Sequence, residues 1–402
     1  MTPPVATRTV GFTESVIREM TRLIALYHPE DGINLAQGFP DFAAPQELKD
    51  AACDAIQGDL NQYAITWGSK PFRDGIVAKT QRFFGIDVDP EAEITVCCGA
   101  TEAMISAMLA LLNPGDEVVI FEPFYENYGP DCILSGAVPR FVPLQPPEWS
   151  FDRDELRAAF SNRTRAIVVN TPNNPTGKVF TREELEFIVS LCAEHDCLIL
   201  TDEIYEHLTY DGYEHVSPIC LPGARERTIV VNGLSKTYSV TGWRVGYVIA
   251  PPALTNAIRK VHDFLTVGAA APLQAAGAVA MQFPDSYYRV LRDRYVERRD
   301  YLISALQKSG FRPFVPRGAY YVMCDISGFE FLDDSTFARF LVEEAGLALV
   351  PGSSFYSDPE RGSQQVRFAF PKRMETLYRA AAILDSLPEL IRTKFPSPLA
   401  SG

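Results

Sequence analysis

The 402-residue sequence predicts an α/β fold: a large domain whose mainly parallel sheet is sandwiched by helices, joined to a smaller α+β domain. Three observations predict it. Short β-branched runs alternate with helix-like segments through the middle of the chain. Several of those runs are apolar on both faces, as strands covered on each side must be. After about residue 285 the alternation gives way to a long charged helix and mixed short elements.

The first forty or so residues hold one amphipathic helix and an extended INLAQGFPDF, expected to pack near the smaller domain. The runs EITVCCG, DEVVIFEP, VPRFVPL, TRAIVVNTP, CLILTDE, TIVVNGLS and VGYVIAP are bounded by Gly, Pro, Asn or Asp and read as strands. Between them, ATEAMISAMLALLN reads as a helix stopped at Pro114-Gly115. TREELEFIVSLCAEHD reads as another, opened by a capping box between Thr181 and Glu184. SYYRVLRDRYVERRDYLISALQKSG carries its apolar residues at helical spacing, and GAYYVMCDIS, STFARFLVEEAG, LALVPG and QVRFAF follow it. The tail KFPSPLASG reads as frayed. The expected division is a large domain over residues 45–290 and a small one made of 1–44 with 291–402.

A net charge of −14 with no basic stretch argues against a nucleic-acid or anionic-membrane partner. The start of the chain lacks the basic-then-apolar pattern of a secretory signal, and no window nears the ~20 apolar residues of a spanning helix. Eight scattered cysteines form no Cys-x-x-Cys pair and do not cluster with the five histidines, so no metal site is expected. Free thiols in a reducing cytoplasm are the simplest reading.

In such sheets the ligand crevice lies beyond the carboxyl ends of the strands. TVCCGATEAM ends a strand at Gly99 and opens a helix at Ala100-Thr101, where backbone N–H groups and a hydroxyl can hold a phosphate. IVVNTPNNPTGK presents Asn174 in a Pro- and Gly-bounded loop. LILTDEIY carries Asp202 out of an apolar strand, with Tyr205 three residues on. IVVNGLSK delivers Lys236, an amine among small and hydroxylated residues, and Arg244 follows eight residues later. Amine, buried acid, hydrogen-bond donors and a phosphate site together suggest pyridoxal phosphate. No Gly-x-Gly-x-x-Gly and no Walker sequence supports a nucleotide cofactor.

NLAQGFPDF, NQYAITWG, GATEAM, FEPFYENY, NTPNNPTGK, TDEIYEHL, LSKTYSVTGWRVGY and VRFAF occur in order over roughly residues 33–370. On these segments the chain resembles the fold-type I pyridoxal-phosphate enzymes of the class I/II aminotransferase family, the kynurenine and methionine aminotransferase branch above all. The resemblance implies an aspartate-aminotransferase-like fold. It implies an enzyme that moves the amino group of a neutral or aromatic L-amino acid to a 2-oxo acid in a ping-pong cycle. Lys236 matches the lysine that carries the cofactor and moves the substrate proton. Asp202 matches the carboxylate at the pyridine nitrogen, the competing reading being a helix N-cap. Asn174 and Tyr205 match the pair at the phenolic oxygen, and Tyr125 the ring that stacks on the pyridine. Gly99, Ala100, Thr101 and Arg244 match the phosphate site; Gly233 stands where many relatives have a phosphate-binding serine, and Ser235 is the expected substitute.

Arg367 matches the arginine that grips the substrate α-carboxylate, with Asn174 beside it, and Gly38 lets backbone approach the same group. A local ion pair is the competing reading of Arg367. Tyr63 matches a tyrosine that reaches the cofactor phosphate of the neighbouring subunit, which implies a homodimer with shared sites. Residues 265–279 offer Gly268, Ala269, Ala270 and Ala271 where dicarboxylate-specific relatives often supply a second arginine, and so point to neutral substrates. A C–S β-lyase and an aspartate-preferring aminotransferase are the alternatives that the same motifs allow.

Overall fold

The first strand, β1 (Ile33–Asn34), is short, and the seven β-branched runs follow it. They are β2 (Ile94–Cys97), β3 (Glu117–Glu122), β4 (Val138–Pro143), β5 (Thr164–Asn170), β6 (Leu198–Asp202), β7 (Thr228–Gly233) and β8 (Gly246–Ile249). In the computed structural model, which describes residues 5–395, they form one sheet in the order β2-β8-β7-β6-β5-β3-β4. Strands β4, β3, β5, β6 and β7 run parallel, and β8 is antiparallel to both of its neighbours. Every residue of β6 and β7 is buried, which is why neither run has a polar face.

The period of two along β3 divides the core. Val118 and Ile120 join Met104, Ala107 and Met108 of the helix Ala100–Leu111 on one side. Val119 and Phe121 join Leu185 and Ile188 of the helix Arg182–Glu194 on the other. That second helix opens with the expected capping box: Thr181 Oγ1 accepts the Glu184 N–H at 3.2 Å, and Glu184 accepts the Thr181 N–H at 2.8 Å.

Beyond the helix Asp285–Lys308 come β9 (Arg312–Phe314), β10 (Tyr321–Asp325), β11 (Leu347–Ala348), β12 (Val350–Pro351) and β13 (Gln365–Ala369). Four of them make an antiparallel sheet, β12-β13-β10-β9, while β11 pairs in parallel with β1. The amino-terminal segment is thereby joined by its strand to the chain beyond residue 308. STFARFLVEEAG reads as one helix but is α-helical only over Asp334–Phe340. It then widens into a π-helical turn, Leu341–Ala345, that ends at Gly346 in the left-handed region.

No helix among the described residues is long and apolar enough to cross a membrane. Of the tail read as frayed, Lys394 ends the helix Met374–Lys394, and residues 396–402 lie outside the described residues, as do 1–4. The parallel run β5-β6-β7 brings three consecutive carboxyl ends to one edge, where Tyr205 meets Tyr321 of β10 and Asn174 meets Arg367 of β13.

Candidate active site

A cleft of about 570 Å³ opens at that edge. Asn174, Asp202, Tyr205, Ser235 and Lys236 line it from the ends of β5, β6 and β7. Gly38, Ala100, Thr101, Tyr125 and Arg244 line it from the surrounding segments. The structure thus brings together residues spread over more than half of the chain.

Lys236 Nζ donates to Gly38 O at 3.2 Å and lies 5.7 Å from the Tyr320 ring centre and 6.0 Å from that of Tyr205. Among the described residues no carboxylate pairs with it, and burial, with repulsion from Arg244 next, pushes the amine down to about 8. An amine so placed is neutral, and nucleophilic, in a large fraction of molecules near pH 8.

Asp202 is buried at the end of β6. Its Oδ2 accepts from Tyr128 Oη at 2.7 Å and its Oδ1 from the Ile204 N–H at 3.2 Å. Burial raises its pKa, and the Tyr128 hydrogen bond opposes that rise. No helix follows it, so the N-cap reading has nothing to cap; the carboxylate closes a tight turn and faces the cleft. Tyr205 is buried beside it, its hydroxyl 3.0 Å from that of Tyr321.

Gly99 caps the helix Ala100–Leu111 with φ 86°, and a Cβ there would lie 2.5 Å from Arg244 Nη2. Only glycine lets the guanidinium rest against the helix start. The first amides of that helix lack intrahelical acceptors, and beside a cation they form an anion cradle. Phe124 is buried and stacks on Phe141, a core aromatic, whereas its neighbour Tyr125 turns into the cleft.

Arg367 is wholly buried on β13. Nη1 donates to Asn174 Oδ1 at 2.8 Å and Nη2 to Ala36 O at 2.7 Å, while Nε has no acceptor. Its guanidinium carbon sits 4.2 Å from the Tyr321 ring centre and 4.8 Å from that of Phe355. Among the described residues it belongs to no ion pair, which removes the local-acid reading. It does not itself line the cleft; Tyr321 and Asn174 stand between. Gly38 lies against the same tyrosine, where a Cβ would fall 2.0 Å from Tyr321 Oη. Tyr63 lies apart from the cleft of its own chain and is 87% exposed.

Several residues of this site were not expected from the sequence. Asn170 accepts the Asn174 N–H at 2.7 Å and donates to Asp202 O at 2.9 Å, so a hydrogen-bonded path runs from Arg367 to the end of β6. Tyr128 opens the helix Tyr128–Leu134 three residues after Tyr125, its N–H donating to Tyr125 O at 3.2 Å, a spacing that could have signalled it. Tyr320 and Tyr321 lie in GAYYVMCDIS, where no local spacing singles them out.

Asp131 is 5% exposed, its Oδ2 has no partner, and burial pushes it up to about 7. The unfolded chain loses this proton near pH 4, whereas the folded chain keeps it to about 7. The penalty on folding therefore grows across that window and is complete above it. Asp131→Asn is expected to stabilise the protein by up to about 4 kcal/mol near pH 8 and by little near pH 4. Urea unfolding at the two pH values checks this, and an equal effect at both would refute it.

The donor set fits an aldehyde-bearing pyridine phosphate: an unpaired amine, a buried carboxylate, two phenols, an aromatic wall and an anion cradle meet in one cleft. The chain matches the profile of the family "Aminotransferase class I and II" over residues 30–383. It is 38% identical over 367 residues to methionine aminotransferase of Escherichia coli (strain K12), covering 91% of this chain and 95% of that protein. It is 37% identical over 389 residues to kynurenine–oxoglutarate transaminase 1 of Homo sapiens, covering 88% and 92%. The solved structure of N-succinyldiaminopimelate aminotransferase from Mycobacterium tuberculosis superposes with a TM-score of 0.92 at 37% identity, covering 96% of this chain and all of that one.

Proposed function

The chain belongs to the class I and II aminotransferases and is a pyridoxal-phosphate-dependent transaminase; from that premise we propose that Lys236 carries the cofactor and that the substrates are neutral or aromatic L-amino acids. The observation that carries the reading is the meeting of an unpaired Lys236 amine and a buried Asp202 carboxylate in one cleft. When bound, pyridoxal phosphate supplies an aldehyde and an electron-withdrawing ring. Asp202, steadied by Tyr128, holds a proton on the ring nitrogen. Lys236 Nζ would take the proton from the substrate Cα. Tyr205 and Asn174 would donate to the phenolic oxygen, Tyr125 would pack against the ring, and Gly99, Ala100, Thr101, Ser235 and Arg244 would hold the phosphate. Arg367 binds the α-carboxylate with Asn174, beside the Gly38 backbone, after Tyr321 moves aside.

Among the cleft-lining residues, Ile17, Phe39, Met104 and Tyr321 offer apolar surface to an uncharged side chain, with the charged Arg18 and Glu126 also in the lining. The relatives named for methionine and kynurenine support the same class. Weak discrimination among such substrates follows from apolar contacts. We further propose a homodimer, with Tyr63 completing the partner's phosphate site. Phe264 is 92% exposed, and Leu265, Val267 and Ile65 are exposed near it, an apolar surface suited to self-association. The division at residues 45–290 and a cytoplasmic location complete the proposal; eight free thiols support a reducing compartment.

A half-reaction screen tests the substrate class: the holoenzyme is mixed with single amino acids and the loss of its visible absorption is followed. Methionine, leucine, glutamine and aromatic amino acids are expected to discharge it. Discharge by aspartate and glutamate alone would overturn the proposal.

A further inference from the structure

His262 lies on the helix Pro252–Thr266 and is completely buried. Its Nδ1 is 3.0 and 3.1 Å from the two carboxylate oxygens of Glu102, and its Nε2 is 3.0 Å from Thr66 O. A carbonyl only accepts, so Nε2 carries a hydrogen. Glu102 already accepts from the Cys98 N–H at 2.9 Å and from Ser106 Oγ, so it also acts as an acceptor, and Nδ1 donates to it. With donors at both nitrogens the ring is an imidazolium. Burial alone would lower its pKa, but the Glu102 hydrogen bond and charge outweigh that and raise it; the same contact takes Glu102 below the usual carboxylate range against its own burial. Asp263, on the same helix, adds to the negative side. Cys97, Glu102 and His262 bring potential ligand atoms within 4.8 Å of one another, yet with both ring nitrogens engaged the group works as a hydrogen-bond hub.

The partners of this hub belong to different parts of the site. Glu102 is in the first turn of the helix that begins at Ala100 and Thr101. Thr66 is three residues from Tyr63 in the same loop, and two residues beyond His262 lies the exposed Phe264. We infer that His262 is a positioning residue that couples self-association to cofactor retention, by cancelling the Glu102 charge at the phosphate-binding helix and by pinning the loop that carries Tyr63. The inference rests on the roles proposed above for Tyr63, Ala100 and Thr101. Without His262, the first turn carries an uncompensated carboxylate where a phosphate must bind, and the Thr66 carbonyl loses its donor.

The test uses holoenzyme carrying His262→Gln, Glu102→Gln, both together, or Tyr63→Phe. Two quantities are measured: the rate of cofactor release into an excess of trapping apoenzyme, and the dissociation constant for self-association by sedimentation. His262→Gln is expected to speed release about tenfold, the effect of one charge at a partly buried helix terminus, and to weaken self-association. Adding Glu102→Gln is expected to restore release to within about threefold of the original rate, because no lone charge remains. Unchanged release in His262→Gln, or faster release that Glu102→Gln does not relieve, would overturn the inference, the latter by showing a merely structural loss. Tyr63→Phe separates the failures. No effect of Tyr63→Phe on release overturns the site reading, whereas a normal Tyr63 effect beside a silent His262→Gln overturns this inference alone.

Discussion

Lys236→Ala is expected to abolish turnover and the visible absorption of the protein-linked cofactor while leaving the fold intact. The side chain has one hydrogen bond, to Gly38 O, and no ion pair among the described residues, so its loss costs little packing or charge compensation. It would remove both functions proposed for Lys236, the covalent hold on the cofactor and the movement of the Cα proton. Loss of a positioned general base alone is worth roughly 10²–10⁴-fold in rate. The cofactor would then be retained only through the phosphate, ring and Asp202 contacts. A single-turnover assay with methionine checks this, and a rate within tenfold of the unaltered enzyme's would contradict it, tenfold being about 1.4 kcal/mol of barrier. Rescue by an added primary amine would mark the defect as chemical.

Arg367→Met separates binding from stability. The guanidinium is wholly buried, unpaired, and compensated by two hydrogen bonds and by the Tyr321 and Phe355 rings. Burying a cation without a counterion is costly, so an unbranched apolar replacement of similar length should keep or raise the melting temperature of the apoprotein. The same change would remove the partner proposed for the substrate carboxylate. Each hydrogen bond to a charged group is worth about 1.5–3 kcal/mol, so kcat/KM is expected to fall by roughly 10²–10⁴-fold. Arg367→Lys should recover only part of that, because a point charge cannot form the two parallel bonds. Thermal melting and steady-state kinetics on the three proteins check both halves. A large drop in melting temperature with unchanged kcat/KM would show that Arg367 is structural.

The parts of this molecule that were legible in the sequence are those governed by local pattern. The seven strands of the large sheet could be read because β-branched runs end at turn-forming residues, and the Thr181–Glu184 cap because four residues contain all of its chemistry. Lys236 and Asp202 were conspicuous as polar groups delivered by apolar strands. What escaped depends on register and on distance along the chain. Tyr128 reaches Asp202 only because β3 and β6 flank β5, which no segment spells out. Arg367 lies beneath Tyr321 because Arg367 faces Met323 across the β10-β13 pair, two residues along β10 from Tyr321. His262 and Thr66 are 196 residues apart, and only the folded helix places the ring against that carbonyl. Nothing in the local sequence marks Asp131, which the folded helix Tyr128–Leu134 buries.

Among the described residues, two buried or half-buried amines are pushed down to about 8 by burial, Lys236 and Lys372. Lys372 holds the turn at Gln37 and Phe39 through their carbonyl oxygens, at 3.3 and 3.0 Å, and it does not line the cleft. Borohydride reduction of the native holoenzyme, followed by peptide mapping, distinguishes them directly. A pyridoxyl-phosphate adduct on the peptide containing Lys236, and on no other, is the result this account predicts. An adduct on Lys372, or no adduct on any lysine of a fully active preparation, would contradict it.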